Sequence, residues 1–113
     1  MSDSVLVLTT NDCPGQKVIR VLGTVYGTSV KSRTAVGNFL GGIRQSFGGE
    51  QSGYTKLVAD SRDAAIAALA QRAADVGGNA VLCMRFDSGQ FGGGDKNMAL
   101  NEVTAYGTAV VLG

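Results

Sequence analysis

The pattern of hydrophobic and polar positions predicts two strands, a helical region and two further strands. Apolar and β-branched residues dominate 5–9 and, after a polar turn at 11–15, also 17–30, which is typical of strands. The second pair of strands is predicted at 80–86 and 98–112. The first two strands are expected to be antiparallel to each other if the turn between them is tight.

Between the two strand pairs, the spacing of apolar residues is helical. Apolar residues recur every three or four positions over 34–47, but three glycines make this a weak helix. A long helix is predicted over 54–76, ended by the glycines at 77–78. Arg62 lies near the centre of its apolar face, so its charge should either extend to solvent or pair with a carboxylate.

The order of these elements predicts one α+β domain over residues 1–113, an antiparallel sheet covered by one long helix. The glycine-rich stretch 87–97 is expected to be a flexible loop. Seventeen glycines stand in the chain, and Gly23, Gly27 and Gly107 fall inside predicted strands, where glycine marks a bulge, a bend or a close backbone approach. The motif Tyr-Gly-Thr occurs in two of those strands, beginning at Tyr26 and at Tyr106.

Composition excludes several classes of function. The chain has no His, which removes the usual relays of nucleophilic catalysis and imidazole metal ligands. A net charge of +1 gives no field that attracts nucleic acid. The longest apolar run, 64–70, is too short to span a membrane, and the first ten residues lack the basic flank of a signal peptide. We therefore expect a cytoplasmic protein without nucleic-acid or membrane partners.

The two cysteines, Cys13 and Cys83, are seventy residues apart and form no Cys-x-x-Cys pair. A redox pair of the thioredoxin type and a four-ligand zinc site are therefore not available within one chain. Two free thiols are favoured over a disulfide or a metal site. A metal-responsive or redox-responsive role for these thiols remains the alternative function.

Two groups of residues are candidate binding sites. The segment from Gly48 to Gly53 has the spacing of a phosphate loop, but Tyr54 stands where such a loop needs Lys, so only weak anion binding at the helix start is expected. Arg85 and Asp87 share one face of a predicted strand, and we hypothesise that Asp87 forms an ion pair with Arg62 or Arg85. A ligand site at these residues is the other interpretation.

Several motifs, in order along nearly the whole chain, resemble the YbjQ-like family of small bacterial and archaeal proteins, sometimes labelled heavy-metal-binding. They are Thr9-Thr10 with Gly15, Gly23-Thr24-Val25-Tyr26-Gly27, Gly48-Gly49 with Ser52-Gly53-Tyr54, Ser61-Arg62-Asp63-Ala64-Ala65, Gly77-Gly78-Asn79-Ala80-Val81 with Arg85-Phe86-Asp87, and Tyr106-Gly107-Thr108-Ala109-Val110. Cys83 and Gly78 depart from the family pattern, where Gly and Ala are usual.

The resemblance implies a dodecin-like subunit that assembles into a homopentameric ring, and it implies no catalytic residues. We therefore expect a self-assembling structural or ligand-binding module without enzymatic activity or cofactor. A small anionic or planar ligand is expected near Tyr54, Arg62, Arg85 and Asp87 or at a subunit junction. Metal-ligating residues are not assigned.

Overall fold

The chain folds into a four-stranded sheet with a long helix across one face. This computed structural model describes residues 4–32, 50–91 and 100–113, and the weak helix predicted at 34–47 lies outside them. The elements are β1 (Leu6–Val7), β2 (Val18–Ser32), α1 (Glu50–Asp75), β3 (Ala80–Phe91) and β4 (Leu100–Leu112). In the part of the chain described, no helix is long and apolar enough to cross a bilayer.

The sheet is mixed, which corrects the prediction of an antiparallel one. Its strand order is β1-β3-β4-β2, with β1 parallel to β3 and the other neighbours antiparallel. The expected antiparallel pairing of the first two strands is also wrong, because β1 and β2 lie at opposite edges. The chain does not turn back directly after β1, since Leu8 donates to and accepts from the backbone of β3 and the carbonyl of Thr10 accepts from Cys83.

The third strand is longer than its hydrophobic pattern indicates. It pairs with β4 as far as Phe91, opposite Leu100, so the part of the predicted flexible loop at 87–91 is strand. The polar side chains at 87–91 do not indicate a strand. The backbone forms one all the same, because β4 supplies its hydrogen-bonding partners whatever side chains are present. The rest of the predicted loop, 92–97, lies outside the described residues.

The helix packs against the sheet through small side chains, as its alanine-rich face predicts. Pairing of β2 with β4 continues in register through Gly27, and a Cβ there would overlap backbone atoms of Ala65, Ala68 and Leu69. Only glycine permits this approach. The core between the helix and the sheet contains Val25, Ala65, Leu69, Ala73, Val81, Met84, Ala105 and Ala109.

The predicted end of the helix is confirmed in detail. Gly77, at a φ of 91°, donates from its N–H to the carbonyl of Ala74, and Gly78 donates to the carbonyl of Ala73. These two hydrogen bonds form a Schellman motif, which satisfies carbonyls that the last helical turn would leave unpaired. Gly23, at a φ of 114°, marks a register shift in β2, as its position inside a strand predicts.

A second apolar cluster lies on the face of the sheet opposite the helix. Leu82 and Val110 alternate along their strands with the core residues Val81 and Ala109, so they point away from the helix. The segment that follows β1 covers this cluster. It comprises Ala80, Leu82, Val110 and Leu112, with Leu8, Cys13 and Cys83 packed against it.

Candidate functional site

The candidate ligand site is a groove beside Arg62, on the helix side of the sheet. The guanidinium carbon of Arg62 lies 5.1 Å from the ring centroid of Phe86, a cation–π distance. Arg62 is itself exposed, so its stem covers apolar surface while its charge meets water, as one of the two sequence expectations states. The groove has a volume of about 570 Å³ and is lined by Thr55, Val58, Ala59, Arg62, Asp63, Ile66 and Phe86.

The lining of this groove suits a flat ligand with a negative group. Val58, Ile66 and Phe86 provide apolar surface, and Arg62 provides donors that match the geometry of a carboxylate or phosphate. Its volume falls within the range of about 300 to 1,000 Å³ typical of small-molecule sites. Asp63 also lines the groove, and its carboxylate would accept a hydrogen bond from a donor on another part of the ligand.

Arg85 lies on the other face of the sheet and does not join this groove. It alternates with Phe86 along β3, and its Nη1 donates to the carbonyl of Thr9 at 3.1 Å and to that of Met84 at 2.8 Å. These contacts tie the segment after β1 to the bulge in β3. Arg85 therefore has a structural role in holding the N-terminal segment.

Asp87 shares the face of Arg85, as predicted, and it is exposed opposite Thr104 of β4. Within the described ranges it forms no ion pair with either arginine, so the predicted ion pair is wrong; the salt bridge found there joins Lys56 to Asp60. The physical reason is that the sheet separates Asp87 from Arg62. Tyr54 lies within α1, and its side chain is outside what the structure describes.

The two thiols are brought to one region, which their separation in sequence does not reveal. Cys13 and Cys83 are free, partly buried and packed against the same apolar cluster on the outer face. Cys83 lies in a β-bulge of β3 with a φ of 58°, and its Sγ donates to Oδ1 of Asn11 at 3.1 Å. Among the described residues no group of three His, Cys, Asp or Glu side chains could hold a metal ion.

A second groove, which the sequence analysis missed, follows the outer edge of β2. The guanidinium carbon of Arg72 lies 5.3 Å from the ring centroid of Tyr26, and both residues line two spaces of about 390 and 190 Å³. The available signal was the repeated Tyr-Gly-Thr motif. The two motifs meet in the sheet, because Tyr26 pairs directly with Tyr106.

Comparison with known proteins finds similar chains across nearly the whole sequence. Residues 5–113 match the model of the YbjQ family, whose description is "Putative heavy-metal-binding". A UPF0145 protein of Acidiphilium cryptum is 57% identical over 110 residues, which cover 97% of this chain and 96% of that protein. A UPF0145 protein of Thermoplasma volcanium is 41% identical over 109 residues, covering 96% and 85% of the two chains.

The chain belongs to the YbjQ family. The resemblance seen in the sequence motifs is therefore confirmed. A solved structure from Pediococcus pentosaceus, described as a protein of unknown function in the DUF74 family, is similar with a TM-score of 0.63 at 13% identity, covering 96% of this chain and 98% of that chain. This similarity supports the α+β fold. The names of these YbjQ and UPF0145 relatives specify no enzymatic activity.

Proposed function

We propose that this YbjQ-family chain is a non-enzymatic, ligand-binding module that assembles into a closed cyclic homo-oligomer, a pentamer as the family resemblance implies, in the cytoplasm. The observation that supports assembly is the outer edge of β2, a 15-residue strand with no neighbour on that side among the described strands. Ile19 and Val21 of this strand are 67% and 65% exposed. A long apolar edge of this kind invites pairing with another chain.

Native mass spectrometry of the full chain at micromolar concentration tests the assembly. We expect one dominant species with five times the mass of the chain. A ladder of open multimers would contradict a closed ring, because closure gives one fixed subunit number. A monomer at the same concentration would overturn the proposed assembly altogether.

The ligand site in this proposal is the groove between Arg62 and Phe86. Its occupant would be small, flat and anionic, since the apolar lining favours a planar body and Arg62 favours a negative group. A position for Asp87 or Arg85 in the same site is not part of this proposal, because both lie on the opposite face. The aromatic sulfonate dye anilinonaphthalene sulfonate is a suitable probe of this chemistry.

Fluorescence titration with this dye tests the groove. Arg62→Met should weaken binding by about tenfold or more, which corresponds to roughly 1.4 kcal/mol. Lys56→Met is the matched control, because Lys56 is an exposed cation of the same helix that pairs with Asp60 and does not line this groove. Equal affinity of both variants and the parent would reject the site. Mass spectrometry of small molecules released from the purified oligomer would then identify the natural ligand.

The alternative function is a metal-responsive or redox-responsive protein that uses Cys13 and Cys83. The specific observation in its favour is that both thiols pack against one apolar cluster, and the description of the family mentions heavy metals. Thiolates favour soft ions such as Cu⁺ and Zn²⁺. Elemental analysis after exposure to each ion should show uptake that is lost in a Cys13→Ser/Cys83→Ala variant. Unchanged uptake in that variant would reject the thiol site.

A further inference from the structure

We infer that the outer edge of β2 in one copy pairs, in parallel, with the outer edge of β3 in the next copy. This pairing, the seam, joins β2 to residues 85–91 of the neighbouring chain. The inference rests on the proposed self-assembly and names the surfaces that carry it. It follows from which strand edges the described chain leaves open.

Counting the residues that the structure describes, the edge of β3 away from β4 is open only in its second half. β1 and the residues that follow it occupy the first half, where Met84 donates its N–H to the carbonyl of Leu8. One residue further along β3, the Arg85 side chain donates a hydrogen bond to the carbonyl of Thr9 in that segment. Residues 85–91 therefore have β4 on one side and no described strand on the other.

The open edges of β2 and β3 lie at the two opposite sides of the sheet. The strand order places β2 at one edge, and β1 is too short to close the other. Among the described strands, each copy thus carries two different edges whose backbone donors and acceptors have no partner strand, and both edges can accept one. Pairing one kind of edge with the other is a heterologous contact, which repeats from copy to copy and gives a ring when the rotation between copies closes.

The two edges match in strand direction and in their position along the strand axis, which is called height here. Across β4, Tyr26 stands level with Tyr106 and Arg85, and Thr28 stands level with Thr104 and Asp87. β2 and β3 point the same way, because each is antiparallel to β4. A rotation about an axis along the strands changes neither height nor direction. It therefore brings residues 85–91 of the next copy beside residues 26–32 as a parallel pair.

A second copy fits this edge better than an unrelated peptide does. In the stretch that would pair, Tyr26 and Val30 are 53 and 49% exposed, so a neighbouring strand would cover apolar surface as well as backbone groups. A second copy also brings its own open β3 edge to this contact, which an unrelated peptide does not. A symmetric dimer through β2 alone would instead leave both β3 edges open.

The seam also explains where the ligand groove lies. Phe86 belongs to the open stretch of β3, so the groove beside Arg62 borders the contact with the next subunit. The neighbouring copy would bring its own Tyr26 and Arg72 to the same junction, because these side chains follow the outer edge of β2. A ligand in the groove would then lie beside the subunit contact, so ligand binding and assembly would affect each other.

Cysteine cross-linking tests the seam in a background in which Cys13 and Cys83 are replaced by Ser and Ala. The variant Thr28→Cys/Asp87→Cys should form disulfide-linked multimers up to the complete ring. Each single variant should stay monomeric on a denaturing gel. Within one chain the two positions have β4 between them, at about twice the 4.8 Å strand spacing, so an internal disulfide cannot form.

The outcomes separate this inference from the proposed assembly. A tilt of the strands relative to the ring axis would shift this register, so Val30→Cys and Gly89→Cys are also combined with the first two positions. Dimers formed by Thr28→Cys alone would overturn the seam in favour of a symmetric β2 contact. An oligomer in native mass spectrometry that gives no cross-link at any of these pairs would overturn the seam alone. A monomeric parent would overturn the assembly as well.

Discussion

The side chain of Asn79 forms two hydrogen bonds with the backbone of Leu112. Its Nδ2 donates to the Leu112 carbonyl at 3.0 Å, and its Oδ1 accepts from the Leu112 N–H at 2.8 Å. The main-chain N–H of Asn79 also donates to Val110. The side-chain amide thus extends the hydrogen-bond ladder between β3 and β4 as a backbone peptide would. It also connects the end of the helix to β4.

Replacing this amide should reduce stability measurably. We expect Asn79→Ala to lower the free energy of unfolding by about 1 to 2 kcal/mol, because two hydrogen bonds are lost. Asn11→Ala is the matched control, since Asn11 accepts only the weak bond found from the Cys83 thiol in the described structure. Urea denaturation of the two variants measures the difference. An equal loss in both would show that the Asn79 bridge contributes little.

Because the helix backbone lies so close to β2, we expect Gly27 to tolerate no larger residue. Gly27→Ala should destabilise the fold by about 3 kcal/mol or prevent folding, because its Cβ would overlap the helix backbone. Gly89→Ala is the control, since the nearest atom to a Cβ there is Cγ of Glu102 at 3.7 Å. Thermal unfolding should show a large loss for the first variant and almost none for the second. Similar melting temperatures would contradict the packing described.

The backbone conformation of Cys83 predicts that a glycine variant at this position is more stable than an alanine variant. Its φ of 58° costs a non-glycine residue about 1 kcal/mol or more. Cys83→Gly removes that strain and loses the bond to Asn11, so its stability should lie close to that of the parent. Cys83→Ala keeps the strain and loses the same bond, so it should be the least stable of the three. Chemical denaturation under reducing conditions checks this order.

Arg62 should matter little for stability. Because it is exposed and pairs with no carboxylate among the described residues, Arg62→Met should change the free energy of unfolding by less than about 1 kcal/mol. Differential scanning calorimetry of the variant and the parent measures this. A loss of several kcal/mol would mean that its charge is buried and paired in the assembled protein.

The helix was predictable because its signals are local. The alanine-rich face and the glycines at 77–78 appear in the sequence as in the structure, where α1 begins four residues earlier than predicted and ends at Asp75. The long strands β2 and β4 were likewise recognised from their β-branched residues. Their register is set by contacts between residues far apart, such as Val18 and Leu112, which no local pattern contains.

The candidate site was predicted only in part, because the sequence did not show which side chains of β3 point to the helix side of the sheet. Arg62 was correctly placed on the sheet-facing side of the helix. The residue of β3 that meets it is Phe86, one position away from the two charged residues that were expected there. A bulge at Cys83 precedes this stretch, so counting alternate positions from the buried part of the strand does not give the correct face. Only the three-dimensional register separates Arg62 from Asp87.

The parallel pairing of β1 with β3 and the central place of β4 determine the order in which the sheet can form. During synthesis, β1 has no partner until Ala80 and Val81 have been made. β2 waits longer, because its partner is the last strand, Leu100–Leu112. Contacts this distant in sequence form slowly. Residues 18–32, including the apolar edge of β2, therefore stay unpaired until Leu100–Leu112 has been made, and a chaperone would protect them most effectively in that interval.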